Sequence, residues 1–154
     1  MDLKEKHILD ATCGSRTIWF DKKCPAAIYF DCREEHCMAI WKSTKNDSVR
    51  TTDVEPDVIG DFTALPFDDA SFELVVFDPP YLVHIGENAW LRKKYGKLPE
   101  NWPQLIHDGF FECMRVLKPY GVLFSSGLKL IFQQEILSKQ LELNLYSVTE
   151  AERK

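Results

Sequence analysis

The sequence predicts an α/β domain: a mainly parallel sheet with helices on both faces. Three observations predict it. Short apolar runs alternate with segments of helical spacing along the chain. Four of those runs end in an acid, at Asp10, Asp31, Asp61 and Asp78. The 154 residues are the length of one domain, 1–154, and such a chain buries roughly two-thirds of its unfolded surface. A composition of 45% hydrophobic and 28% charged residues excludes a disordered or fibrous chain.

His7-Ile8-Leu9-Asp10 is predicted as the first buried strand. Gly14-Ser15 follow as a turn, then Thr17 to Phe20 as a short helix that Pro25 stops. Ala26 to Asp31 is the second strand. Glu34 to Trp41 reads as one or two helical turns, and the polar stretch Lys42 to Pro56 as an exposed connection. Asp57 to Asp61 is a third short strand, and Pro66 to Ser71 carries turn chemistry. Phe72 to Asp78, with Leu74-Val75-Val76-Phe77 at its centre, is the clearest strand. Residues 82–103 form a long connection with Gly86, Gly96, Pro99 and Pro103. In 104–118, Leu105, Ile106, Phe110, Met114 and Leu117 fall at helical spacing, Phe111 and Val116 widen that face, and Lys118-Pro119 ends it. Val122 to Phe124 is a fifth strand, Leu130 to Leu141 a helix, and Leu143 to Val148 a sixth strand.

Several classes are set aside early. No run reaches the ~18 apolar residues of a membrane span. The charged start Met1 to Lys6 leads into an apolar run too short for a signal peptide. Five cysteines, an odd number without a C-x-x-C pair, read as reduced thiols in a cytoplasmic protein. Cys32, His36 and Cys37 cluster, but a zinc site needs a second ligand pair at a recognisable spacing, so no metal is expected. A net charge of -5 argues against a bulk polyanion binder and leaves room for a local basic patch.

In parallel sheets with helices on both faces, ligands sit beyond the carboxyl ends of the strands. That rim carries three constellations. In Asp10-Ala11-Thr12-Cys13-Gly14, a glycine after a strand lets the backbone approach a ligand, and the following helix start offers N–H groups. Asp31 lies about 20 residues on, the spacing at which an acid grips ribose hydroxyls. The plain alternative is a turn glycine and a capping acid. In Gly60-Asp61-Phe62-Thr63-Ala64-Leu65-Pro66-Phe67, an acid and an aromatic at a strand end suit an adenine amino group and ring; the alternative is an N-cap followed by a core Phe. The third constellation is Asp78-Pro79-Pro80-Tyr81. Two prolines fix the backbone after a buried strand and remove two donors. Asp78 and the Pro79 carbonyl are then two acceptors for one amino group, and Tyr81 offers a face for a planar base; the alternative is a Pro-Pro turn with a surface Tyr.

With D-P-P-Y after an apolar strand and D-x-x-x-G upstream, the chain resembles the class I, Rossmann-like S-adenosylmethionine-dependent amino-methyltransferases. Gly60 to Phe67 and Arg115-Val116-Leu117-Lys118-Pro119 match further marks of that class. The likeness is greatest to small phage- and prophage-encoded DNA adenine-type methylases, whose loop after the motif is similar to Tyr81 to Asn88 and Lys94 to Trp102. It covers residues 7 to about 124. The resemblance implies a three-layer αβα sandwich. It implies that Asp10, Ala11, Thr12, Cys13 and Gly14 hold the methionine part of S-adenosylmethionine, Asp31 its ribose, and Asp61 and Phe62 its adenine. Asp78 and the Pro79 carbonyl, fixed by Pro80, would hydrogen-bond the target amine, and Tyr81 would stack on the base. Transfer to adenine N6 in DNA is the expected activity; an RNA base methyltransferase and a non-catalytic cofactor-binding remnant are the alternatives.

The 82–103 connection adds Arg92, Lys93, Lys94 and Lys97 with Trp90, Tyr95 and Trp102, a mixture suited to contact nucleic acid. Its alternative is a solvated loop anchored by tryptophans. Three features depart from the family pattern. Arg16 stands where a second glycine is usual and is expected to crowd the cofactor turn. Little chain precedes the first strand. The segment from about 125 to 154 does not match and reads as an atypical or truncated end, as a change of reading frame would leave, lacking the last one or two strands. Such a sheet would expose an edge, which invites a homodimer through that edge or the C-terminal segment.

Overall fold

The protein is described here from a computed structural model covering residues 5–41 and 48–125. The elements in chain order are β1 (Ile8–Asp10), β2 (Ala27–Asp31), β3 (Glu35–Trp41), β4 (Ser48–Val54), β5 (Val58–Ile59), β6 (Phe72–Val76), α1 (Trp90–Tyr95), α2 (Trp102–Val116) and β7 (Leu117–Phe124). Five strands form one sheet in the order β5-β2-β1-β6-β7, and all neighbours are parallel. Counted within that sheet the order is 3-2-1-4-5, the doubly wound arrangement of a Rossmann-like α/β fold. The order reverses between β1 and β6. At that point the connections leave in opposite directions and open a crevice above the strand ends.

The central strands are short and largely buried on both faces. All five residues of β2 are buried, as are Leu9, Val75 and Val76 of the strands beside it. One face packs under α2, whose Ile106, Gly109, Cys113 and Val116 form a helical stripe against Leu9, Ile28, Phe30, Phe62 and Phe77. Each large apolar side chain removed from water in this layer contributes roughly 1.5–3 kcal/mol. Phe62 meets Phe77 edge-on at 5.3 Å, close enough that a Cβ at Gly109 would stand 2.3 Å from Phe62 Cδ2. Arg115 of α2 donates to the carbonyls of Leu65 (3.0 Å) and Phe67 (2.9 Å) and to Asp69 (2.7 Å), while Glu112 accepts from the Leu65 N–H. The connection from β5 to β6 is therefore fastened to α2 without a helix of its own.

The other face is covered by Cys13, Trp19 and Cys24, which pack on Ile8, Ala27 and Tyr29. Here the structure corrects the expected helix at Thr17 to Phe20: the segment is a series of turns. Arg16 at φ +54° breaks helical continuity, and four residues are too few to nucleate a helix. Glu34 to Trp41 is also not helical. It forms β3, paired antiparallel with β4 from Glu35↔Val54 to Trp41↔Ser48, so much of the expected connection 42–56 is strand. The 82–103 connection contains α1, and α2 starts at Trp102, with Pro103 in its first turn. The helix ends at Val116, and Lys118-Pro119 lies inside β7, where a register shift against Phe72 and Leu74 accommodates a residue without an N–H. The helix expected at 130–141 and the strand at 143–148 lie outside the described residues.

Candidate active site

The rim beyond β1 is built around two carboxylates. Asp10 is 1% exposed and accepts from Trp19 Nε1 at 2.5 Å and from the Thr12 N–H at 3.3 Å. Burial pushes its carboxyl up to about 6, assisted by the charges of Asp31 and Asp78 and opposed by those two hydrogen bonds. Asp10 lies beneath the crevice rather than on its wall, so it positions the turn that follows. Gly14 takes φ +49°, which a side chain adopts only with strain, and donates its N–H to Asp31 Oδ2 at 2.8 Å. Asp31 Oδ1 accepts from the Arg33 N–H at 3.2 Å, with Arg33 Nε 3.8 Å away. Cys13 is buried against Tyr29 on the far face, and burial pushes its thiol well above the usual range. Arg16 does not crowd the crevice. It lies 3.6 Å over the Tyr29 ring and donates to the Lys22 and Glu55 carbonyls.

The rim beyond β6 is built differently. The Phe77 N–H donates to Phe124 O, and the Asp78 N–H to Thr12 Oγ1 at 2.8 Å, tying the corner to the β1 turn. Pro80 follows on the crevice wall. Gly96, at φ +82°, passes so close that a Cβ there would stand 3.0 Å from Pro80 Cγ. Tyr81 is 69% exposed and lies 6.0 Å from Tyr95, centroid to centroid. Tyr95, not Tyr81, lines the crevice.

Between the two rims lies a cleft of about 440 Å³. Ala11, Thr12, Gly14, Asp31, Phe62, Asp78 and Pro80 face it from the sheet side; Arg92, Lys93 and Lys97 face it from the α1 side. The structure thus brings together residues from all three constellations. It leaves out Asp61, whose carboxylate closes its own turn by accepting from the Thr63 N–H and hydroxyl, both at 2.8 Å. Phe62 faces the cleft as part of the core, and Pro79 is not on the wall. Lys94 turns away, with Nζ 4.7 Å over the Tyr95 ring.

No family model, curated protein or solved structure matches the chain. Arg33 and Glu35 are among the cleft residues that carried no functional reading in the sequence. Arg33 donates to Glu35 Oε2 (2.5 Å), Lys93 O (2.8 Å) and Lys94 O (3.3 Å), so it holds the end of α1 against the sheet. A cation at a helix C-terminus is favourable on dipole grounds as well. Its nearness to Asp31 was visible in the sequence; its reach to residues 60 positions away was not. Glu35 was hidden by the helical reading of 34–41. Among the described residues no group of three or more His, Cys, Asp or Glu is placed to hold a metal ion, and no helix is long and apolar enough to cross a membrane.

Proposed function

We propose that the chain is an S-adenosylmethionine-dependent methyltransferase that acts on an exocyclic amino group of a nucleic-acid base, adenine N6 in DNA being the substrate of choice. One observation carries this reading. The Asp78-Pro79-Pro80 corner stands at the switch point of a doubly wound sheet and shares one cleft with the Thr12 to Gly14 turn and Asp31. A cleft of this size suits a nucleoside-sized ligand.

The residues present fit the cofactor in part. Thr12, Gly14 and Asp31 would hold its methionine and ribose portions, and Phe62 would lie against its adenine. Asp61 would take no part in the conformation described. The cofactor supplies a methyl group on a positively charged sulfur. The protein's part is to make a poor nucleophile attack it. An exocyclic amine has its lone pair conjugated into the ring. The Asp78 carboxylate would accept from the amine, favour a pyramidal nitrogen and aim the lone pair at the methyl; the Pro79 carbonyl, expected as the second acceptor, is off the cleft wall in the conformation described. The prolines offer no competing N–H donors at that corner. Positive charge that develops on the amine is met by Asp78, with Asp10 beneath. Arg92, Lys93 and Lys97 at the mouth suit phosphates of a strand whose base is turned into the cleft, a step of a few kcal/mol in duplex DNA.

A second reading, a cofactor-binding remnant without turnover, draws on the target side of the site: Pro79 and Tyr81 are off the cleft wall, whereas Thr12, Gly14 and Asp31 line it. Calorimetry with S-adenosylmethionine and its demethylated product, followed by transfer of labelled methyl to DNA and to RNA, tests both. Binding with transfer to DNA supports the enzyme, transfer to RNA alone moves the substrate, binding without transfer supports the remnant, and no binding ends both.

A further inference from the structure

The cleft continues beyond Tyr95. Thr12, Gly14 and Tyr95 face both the cleft and a narrow passage; Ser15, Thr17 and Lys94 face both that passage and a second groove of about 440 Å³. This groove lies between the turns at 15–23 and strand β4. Its charged residues are Arg16, Lys22, Lys23 and Lys94 against Asp53 and Glu55, a local cationic surplus in a chain of net charge -5. Both carboxylates have His36 beside them, at 3.3 and 3.8 Å. Arg16 is fixed as the groove's wall by Tyr29 and two carbonyls. Lys22 reaches the Ser15 carbonyl at 3.2 Å, and both Lys22 and Lys23 are exposed. Thr52, also on the wall, is 4% exposed, and its hydroxyl has no hydrogen-bond partner among the described residues.

We propose that this groove holds the phosphodiester backbone of the strand that flanks the base in the cleft. The inference rests on the nucleic-acid reading above and extends its contact surface beyond α1. Lysines and hydroxyls are the donors that phosphate oxygens take, and they carry no sequence information. Lys94 stands where passage and groove meet, so a strand leaving the cleft passes from Lys94 to Lys22 and Lys23. Such a track adds sequence-independent contacts to those at α1 and makes the hold on the substrate salt-dependent.

The test is fluorescence anisotropy with a labelled single strand of about 12 nucleotides over a salt series. It compares the wild type, Lys22→Gln/Lys23→Gln, and Lys118→Gln, which removes a cation paired with Glu73 at the opposite end of the sheet. The double variant is expected to lower the slope of log K against log salt by about 1–1.5 and to lose on the order of tenfold in affinity at low salt, while Lys118→Gln matches the wild type. An unchanged slope in the double variant, with the wild type binding, overturns the groove and leaves the cleft reading intact. A wild type that binds no strand at any salt overturns the nucleic-acid reading itself.

Discussion

The two ends of the cleft are held by different chemistry. At the β1–β2 end, order comes from hydrogen bonds onto carboxylates: Asp10 fixes Trp19 and Thr12, and Asp31 fixes Gly14 and Arg33. At the β6 end, order comes from covalent geometry, two prolines in a row, with Thr12 pinning the Asp78 N–H. The first end is sensitive to protonation and to loss of a single acceptor. The second is stiff whatever the pH. The transfer site proposed above would gain from that division, because an amine held for reaction needs a fixed corner while the turn beside it can adjust to a ligand.

Four substitutions sharpen or break this contrast. Asp31→Ala is expected to act most strongly. It removes the acceptor of the Gly14 and Arg33 N–H groups and leaves the turn at Gly14 without its anchor, while the Arg33 guanidinium keeps Glu35, at a cost of about 2–3 kcal/mol by urea denaturation. A loss below about 1 kcal/mol would mean that the turn holds without its carboxylate.

Asp10 gives the pH test. Its carboxyl is raised to about 6 by burial, so between pH 4 and 6 the folded chain binds protons more tightly than the unfolded one, and stability falls as pH rises through that window. Above it the deficit is complete, up to about 3 kcal/mol. Asp10→Asn loses one hydrogen bond at every pH but removes this slope. By denaturant midpoints, Asp10→Asn should therefore be the less stable protein at about pH 4, by about 1 kcal/mol, and the more stable one at about pH 7.5, by up to about 2 kcal/mol. An unchanged pH dependence would contradict the assignment.

Gly109→Ala attacks the cleft from beneath. Its Cβ must displace Phe62, at about 1–3 kcal/mol of overpacking, and cofactor affinity should fall with it in calorimetry. Pro80→Ala is the smallest in stability, about 0.4–1 kcal/mol and chiefly through the unfolded chain. It should nevertheless slow methyl transfer more than Asp10→Asn does. The reverse order would place the corner outside the chemistry.

The sheet was legible in the sequence because buried parallel strands are short apolar runs, and Ile8 to Asp10, Ala27 to Asp31 and Phe72 to Val76 have no competing pattern. The hairpin was not. Glu35 to Trp41 mixes His36, Cys37 and Met38 with no clean period, and its partner lies in a stretch as polar as a loop. Six-residue α1 has neither a side-chain cap nor a buried residue, and Arg33 holds its end from another part of the chain. Of the site, the Asp78 corner and the Gly14 turn were legible as proline and glycine punctuation. Asp61 was misread because a strand-end acid that closes its own turn looks the same in sequence as one that faces a ligand. Tyr81 was misread for a related reason: the motif fixes the backbone, but the ring's neighbour, Tyr95, comes from a helix the sequence did not announce.

The most direct measurement is the rate at which labelled methyl passes from S-adenosylmethionine to adenine-containing DNA in the wild type and in Asp78→Ala, with binding of the cofactor measured alongside. The Asp78 corner as the amine-holding site predicts transfer by the wild type and a loss of about 100-fold or more in the variant, with cofactor affinity little changed. Equal rates in the two proteins would contradict it.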